Sequence, residues 1–129
     1  MTLDEFECSW IGLEEMETRD RLYESPALIG CCFAMSSRLY RKLWGFDCVM
    51  MHWGVEDIDL GLKAWLMGHP VLHNPFAAIG HRFRSTFDTF FVADEAVLFN
   101  QMRMARKNFT ESVWCQWLER ARTRHESRV

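Results

Sequence analysis

The run Ala27-Leu28-Ile29-Gly30-Cys31-Cys32-Phe33-Ala34-Met35 decides which fold the chain is expected to adopt. It is apolar throughout, and Ser25-Pro26 opens it at a boundary, because the residue before a proline is pushed out of helical geometry. A continuous apolar stretch of this length, bracketed by turn signals, suits a strand buried on both faces. The expected class is therefore α/β, a sheet covered by helices. Gly30 in the middle weakens a strand, so it marks either close packing against a neighbouring helix or a close approach by a ligand.

Downstream, Ser36 or Ser37 can cap a helix whose Leu39, Tyr40, Leu43 and Trp44 have helical spacing. Gly45 is a natural stop, with Phe46 placed to fold back on the helix end. Asp47 to Trp53 shows no periodicity and reads as a loop. The segment His52-Trp53-Gly54-Val55-Glu56-Asp57-Ile58-Asp59-Leu60 then carries a Trp-Gly turn into three carboxylates. Acidic side chains on a first helical turn complement the helix dipole by about 0.3–1 kcal/mol each, so helix stability explains this cluster as well as chemistry does. From Val55 to Met67, an apolar face is formed by Ile58, Leu62, Trp65 and Leu66, while Asp59 and Lys63 pair four residues apart. Gly68 and Pro70 stop the helix.

Val71-Leu72 begins a short strand, Asn74-Pro75 turns the chain, and Phe76-Ala77-Ala78-Ile79 reads as a second strand ending at Gly80-His81-Arg82-Phe83-Arg84. A histidine and two arginines after a buried strand stand where α/β folds gather ligand-binding groups. Taken alone, His81 reads first as a surface histidine rather than a metal ligand. The last third is helical. Ala93 to Lys107 carries Ala96, Val97, Phe99, Met102 and Met104, and Thr110 caps a final helix striped by Val113, Trp114, Trp117, Leu118 and Ala121. Near the start, Phe6, Cys8 and Trp10 alternate as in a short strand, and Glu14 to Arg21 reads as an exposed loop.

A chain of 129 residues, 49% hydrophobic and 26% charged, suits one compact globular domain. Its net charge of −3 and the absence of a dense basic tract before the tail give no footprint for nucleic acid. Arg120 to Arg128 reads as a solvated helix end. Cys8, Cys31, Cys32, Cys48 and Cys115 are odd in number and lack C-x-x-C spacing, which argues against a zinc ribbon or a disulfide framework. Cys31 and Cys32 are expected to behave as small hydrophobes in the apolar run. Asn108-Phe109-Thr110 fits a glycosylation sequon by accident. The N-terminus is acidic, unlike a secretory signal, and no apolar run approaches the roughly 20 residues of a membrane span. The expectation is a cytoplasmic protein.

Residues 25–84 resemble the C-terminal half of a GT-A glycosyltransferase domain, near the polypeptide N-acetylgalactosaminyltransferases and the galactosyltransferase C-terminal domain group. Four landmarks fall in the family's order. Ser25-Pro26 through Met35 resembles S-P-x-x-x-G-G-x-F-A-I, and Leu43-Trp44-Gly45-Phe46-Asp47 resembles L-G-G-[FY]-D. Trp53-Gly54-Val55-Glu56-Asp57 is similar to W-G-G-E-[ND], and Gly80-His81-Arg82-Phe83-Arg84 to G-H-x-F-R. Each alone is weak, and their collinearity carries the resemblance.

The resemblance implies a partial GT-A fold over residues 1–92, with a helical pair over 93–129 packed on it. It implies transfer of a sugar from a nucleotide-sugar donor to a carbohydrate or other hydroxyl acceptor. It makes Glu56 and Asp57 the acidic pair beside sugar and acceptor, with Asp57 as the general base of inverting relatives. Trp53 and Gly54 would line the acceptor side, Gly30 would let the donor sugar approach, and Arg84 would sit near the diphosphate. His81 would complete a site for a divalent metal, usually manganese, which bridges the diphosphate. Two departures follow. Asp57 stands where retaining relatives carry Asn, which tilts the expectation toward inversion, and Cys31 replaces a family glycine near the donor sugar.

Nothing upstream of Ser25 resembles the nucleotide-binding half with its D-x-D motif, so the metal site is expected to be incomplete here. Asp57-Ile58-Asp59 has the letters but lies on a helix in the acidic-pair motif. The chain is thus expected to need a separate nucleotide-binding half, as a fragment, a split gene product or one half of an assembly with a partner chain. The alternative is a non-catalytic carbohydrate- or protein-binding module that covers its apolar edge by homo-oligomerisation. A metal-dependent hydrolase built on His52, Glu56, Asp57 and His81 lacks compact ligand spacing.

Overall fold

The computed structural model describes residues 20–80 and 91–126. The strand expected at Phe6 to Trp10 and the landmark residues His81 to Arg84 lie outside them. The elements run β1 (Tyr23–Glu24), α1 (Ser37–Lys42), α2 (Glu56–Leu66), β2 (Leu72–His73), α3 (Asp94–Asn108) and α4 (Glu111–Glu126). β1 and β2 pair antiparallel, Tyr23 opposite His73 and Glu24 opposite Leu72, with the Tyr23 and His73 rings stacked at 4.8 Å. The architecture is mixed, four helices around one two-residue ladder among the described residues.

The apolar run from Ala27 to Met35 is not a strand. It turns at Ile29 to Cys32, where the Cys32 N–H donates to the Ile29 carbonyl at 3.2 Å. Ala27 is buried, Leu28, Phe33 and Met35 pack on the core, and Gly30, Cys31 and Cys32 are exposed. The expectation that both cysteines act as core hydrophobes is therefore overturned. Apolarity alone cannot distinguish a buried strand from an irregular segment laid on a helix. Here the Gly30 N–H goes to a side chain of α2 instead of a ladder partner. The strand expected at Phe76 to Ile79 is likewise absent. Asn74 Oδ1 accepts the Phe76 N–H at 3.0 Å, the Asn74 carbonyl accepts that of Ala77, and Phe76 and Ile79 face solvent.

The helices follow their sequence signals closely. Ser36 Oγ accepts the Leu39 N–H and caps α1. The helix closes with Trp44 N–H on the Arg41 carbonyl and Gly45 N–H on that of Tyr40, a paired C-terminal motif. Its left-handed first position holds Trp44 at φ 63°, where glycine is usual. A Cβ on Gly45 would lie 2.7 Å from the Tyr40 ring, so the ring closes over that position. Phe46 folds back edge-on to Tyr40, as expected.

α2 is the central element. Ile58 joins Ala27, Met104, Ala105 and Trp117 in one core, while Leu60 and Ala64 join Leu43 and Val71 in another. Its buried positions thus wrap the helix, and the single face ending at Leu66 is corrected, since Leu66 is exposed. Burial of a side chain such as Leu60 contributes about 1.5–3 kcal/mol. The Trp65 indole N–H donates to the Ser25 carbonyl, and the Ser25 N–H to the Val71 carbonyl, which ties helix and sheet together. α3 and α4 close the other side, with Trp117 inserted and Trp114 stacked on it. Among the described residues, no helix is long and apolar enough to cross a membrane.

Candidate functional site

Asp57 is the second residue of α2, which aims its carboxylate at the turn made by the apolar run. Oδ2 accepts the Gly30 N–H at 2.6 Å, and Oδ1 accepts the Ile58 N–H at 2.8 Å. A Cβ at position 30 would stand 3.0 Å from Oδ2, so the close approach at Gly30 is made by the helix through Asp57. Close packing against a helix, one of the two expectations for this glycine, is observed. Cys31 follows on the exposed tip of the turn.

The loop entering α2 is wound left-handed three times, at His52 (φ 51°), Gly54 (φ 112°) and Val55 (φ 60°). Left-handed backbone at a β-branched residue is strained, at about 1–3 kcal/mol. Glu56 Oε2 accepts the Gly54 N–H at 2.9 Å and steadies the bend. Gly54 is buried, whereas Trp53 beside it leaves 58% of its surface in solvent.

Asn100 of α3, buried at 1% exposure, holds this loop from beneath. Its Oδ1 accepts the Met51 N–H at 2.8 Å, and its Nδ2 donates to the carbonyls of Met51 (2.7 Å), Trp53 (3.1 Å) and Gly54 (3.3 Å). The same helix anchors a charged network. Arg103 grips Asp47 with Nε and Nη2 at 2.8 and 3.1 Å, and Lys107 adds a 2.6 Å contact. Burial alone would raise the Asp47 carboxyl. The Arg103, Lys107 and Val49 N–H bonds outweigh it and hold the group well below the usual carboxylate range. Asp59 is fully buried, accepts from Asn108 at 2.8 Å, and pairs with Lys63 at 3.1 Å as its i, i+4 spacing implies.

The structure therefore gathers Gly30, Cys31, Trp53, Gly54, Glu56 and Asp57 around the N-terminus of α2. His81 and Arg84 lie outside the described residues. Among the described residues, no three metal-type side chains converge. Asp57 is tied to two backbone N–H groups and Asp59 is buried against its own partners, so this pair does not fit a divalent ion. Asn100, Asp47 and Arg103 were not singled out from sequence. Asn100 had a signal, a polar amide at helical spacing from Ala96 and Met104. Asp47 stood only as the last residue of a landmark, and nothing in the sequence paired it with Arg103, 56 residues away.

A family described as the N-terminal domain of galactosyltransferase matches residues 13–85. The "Probable N-acetylgalactosaminyltransferase 8" of Caenorhabditis elegans is 35% identical over 98 residues, 75% of this chain and 23% of that protein. The polypeptide N-acetylgalactosaminyltransferase 8 of Drosophila melanogaster is 34% identical over 71 residues, 55% of this chain and 12% of its own. The polypeptide N-acetylgalactosaminyltransferase 3 of Mus musculus is 28% identical over 95 residues, 71% and 15% of the two chains. The chain spans less than a quarter of the length of these relatives. No solved structure matches it.

Proposed function

The chain belongs to the galactosyltransferase domain family matched over residues 13–85, and from that premise we propose that it forms the acceptor side of a glycosyltransferase. The reaction would move a sugar from a nucleotide donor to a hydroxyl group. The relatives' names support N-acetylgalactosamine as the sugar and a polypeptide hydroxyl as the acceptor. The finer placement, the C-terminal half of a GT-A fold, belongs to the same proposal.

The observation that carries the reading is the 2.6 Å bond from Gly30 to Asp57, which joins two motifs 27 residues apart at one helix end. Each carboxylate oxygen of Asp57 accepts one N–H and keeps a further lone pair for a donor such as an acceptor hydroxyl. In the proposed mechanism Asp57 accepts that hydroxyl's proton as the oxygen attacks the sugar carbon. The bond from that carbon to the diphosphate oxygen breaks, the nucleoside diphosphate leaves with the electron pair, and the outcome is inversion. The exposed indole of Trp53 offers a face for the acceptor. A divalent metal would neutralise charge on the diphosphate leaving group, but the described residues do not fit one, and no step is derived through it. Nucleotide binding is assigned to a part of the transferase other than the described residues.

A second reading, a binding module without catalysis, is favoured by one specific observation. Glu56 and Asp57 both already bond the chain's own backbone N–H groups. Incubation with UDP-N-acetylgalactosamine, manganese and a serine/threonine peptide, followed by mass spectrometry, separates the two. A glycosylated peptide supports the transferase. Peptide binding without product, with the nucleotide-binding part of the transferase supplied, supports the module, and the absence of both product and binding would sink both readings. Turnover by this chain alone is expected to be weak or absent, and robust turnover would overturn the assignment of nucleotide binding elsewhere.

A further inference from the structure

The backbone from Met51 to Val55 takes left-handed geometry at three positions, of which only Gly54 is a glycine. Such a segment persists only where its surroundings over-determine it. No regular element pairs with it. The Met51 N–H and the carbonyls of Met51, Trp53 and Gly54 turn instead to one side chain, Asn100, which bonds all four. The same loop presents the Trp53 indole to solvent and delivers the Gly54 N–H to Glu56.

We infer that Asn100 is a positioning residue for the acceptor side, one that fixes the loop so that the Trp53 indole and the Glu56 carboxylate hold their places. This inference rests on the transferase reading. Asn100 lies buried beneath the loop and touches no substrate. It acts through the Trp53 and Gly54 carbonyls. An amide is required because the loop presents one donor and three acceptors. Aspartate keeps the acceptor for the Met51 N–H and loses every donor, setting a carboxylate against three carbonyl oxygens. Asn100→Asp is therefore nearly isosteric and opposite in function.

The chain contains six tryptophans, so 5-fluorotryptophan labelling gives a reporter at each, with Trp53 identified by Trp53→Phe. In Asn100→Asp the Trp53 resonance is expected to move while that of buried Trp117 stays. An unchanged Trp53 signal overturns the inference. Should every resonance move together, the fold has been lost, and Asn100→Ser, which keeps one donor and one acceptor, decides by the same criterion. In the peptide-transfer assay, the acceptor KM is expected to rise at least ~fivefold with the donor KM unchanged, because misplacement of a binding group weakens one substrate selectively. A fall in kcat alone, with both KM values unchanged, would indicate a merely structural role. A wild-type chain without turnover is what nucleotide binding elsewhere implies, and the fluorine spectrum then decides the role of Asn100 by itself.

Discussion

The N–H of Gly30 donates to Asp57 Oδ2 across 2.6 Å, while the Ile58 N–H holds the other oxygen at 2.8 Å. Asparagine at this position would keep one acceptor and turn an amide NH2 toward the second N–H. The turn carrying Gly30 and Cys31 would lose its tether or α2 would lose a first-turn bond. Asp57→Asn is therefore expected to lower the unfolding free energy by about 1–3 kcal/mol, read from urea titration. Stability within ~0.3 kcal/mol of wild type would show that the bond contributes little. Loss of transfer in Asp57→Asn identifies a base only if the Gly30 amide keeps its protection from hydrogen exchange.

Trp44 and Val55 both occupy left-handed backbone where the resembling motifs carry glycine, yet they should respond differently to its restoration. Trp44 is 90% exposed and has almost no packing to lose. Relief of the left-handed penalty, about 1–2 kcal/mol, exceeds the added chain entropy of glycine, about 0.5–1 kcal/mol. Trp44→Gly is expected to stabilise by ~0.5–1 kcal/mol in thermal or urea unfolding. Val55 packs against the core around Ile58 and Trp117, so Val55→Gly gives up burial and gains nothing net. Stabilisation by both substitutions, or by neither, would mean that backbone strain is not what separates them.

Asp47 sets an acid limit on the fold. Its carboxyl is held below the ordinary value of 3.8, chiefly by Arg103 and Lys107 working against the cost of burial. A depressed folded value means that the native state prefers the ionised form. The stability it confers is complete above 3.8 and is lost as pH falls below it. The urea midpoint of wild type is expected to fall steeply below pH ~4, and that of Asp47→Asn, lower at neutral pH, to fall less. Parallel acid limbs in the two proteins would remove Asp47 from the effect.

The helices were legible because their signals are local. Ser36, Gly45, Gly68 and Thr110 act within one turn of themselves, and the structure uses each as a boundary. The apolar run at 27–35 misled because its partner is not a strand but the side of α2, and composition does not say which surface an apolar residue meets. The acidic motif was legible as a unit, and the resemblance set it and Gly30 beside the same sugar. What sequence could not show is that these residues bond one another. Nor could it show that support comes from Asn100, since a contact 46 to 49 residues away leaves no periodic trace.

Glu56 offers the cleaner test of charge at the site. Its single structural bond runs from the Gly54 N–H to Oε2. Glutamine can present its own carbonyl oxygen to that N–H, so Glu56→Gln removes a charge and keeps the loop. The cost to stability is the lost interaction with the helix N-terminus, about 0.3–1 kcal/mol, smaller than that expected for Asp57→Asn. A transferase that needs negative charge beside the sugar should lose most of its activity in Glu56→Gln while its urea midpoint barely moves. A Glu56→Gln protein that transfers sugar at the wild-type rate would confine Glu56 to bending the loop, leaving Asp57 as the member of the acidic pair available for the chemistry.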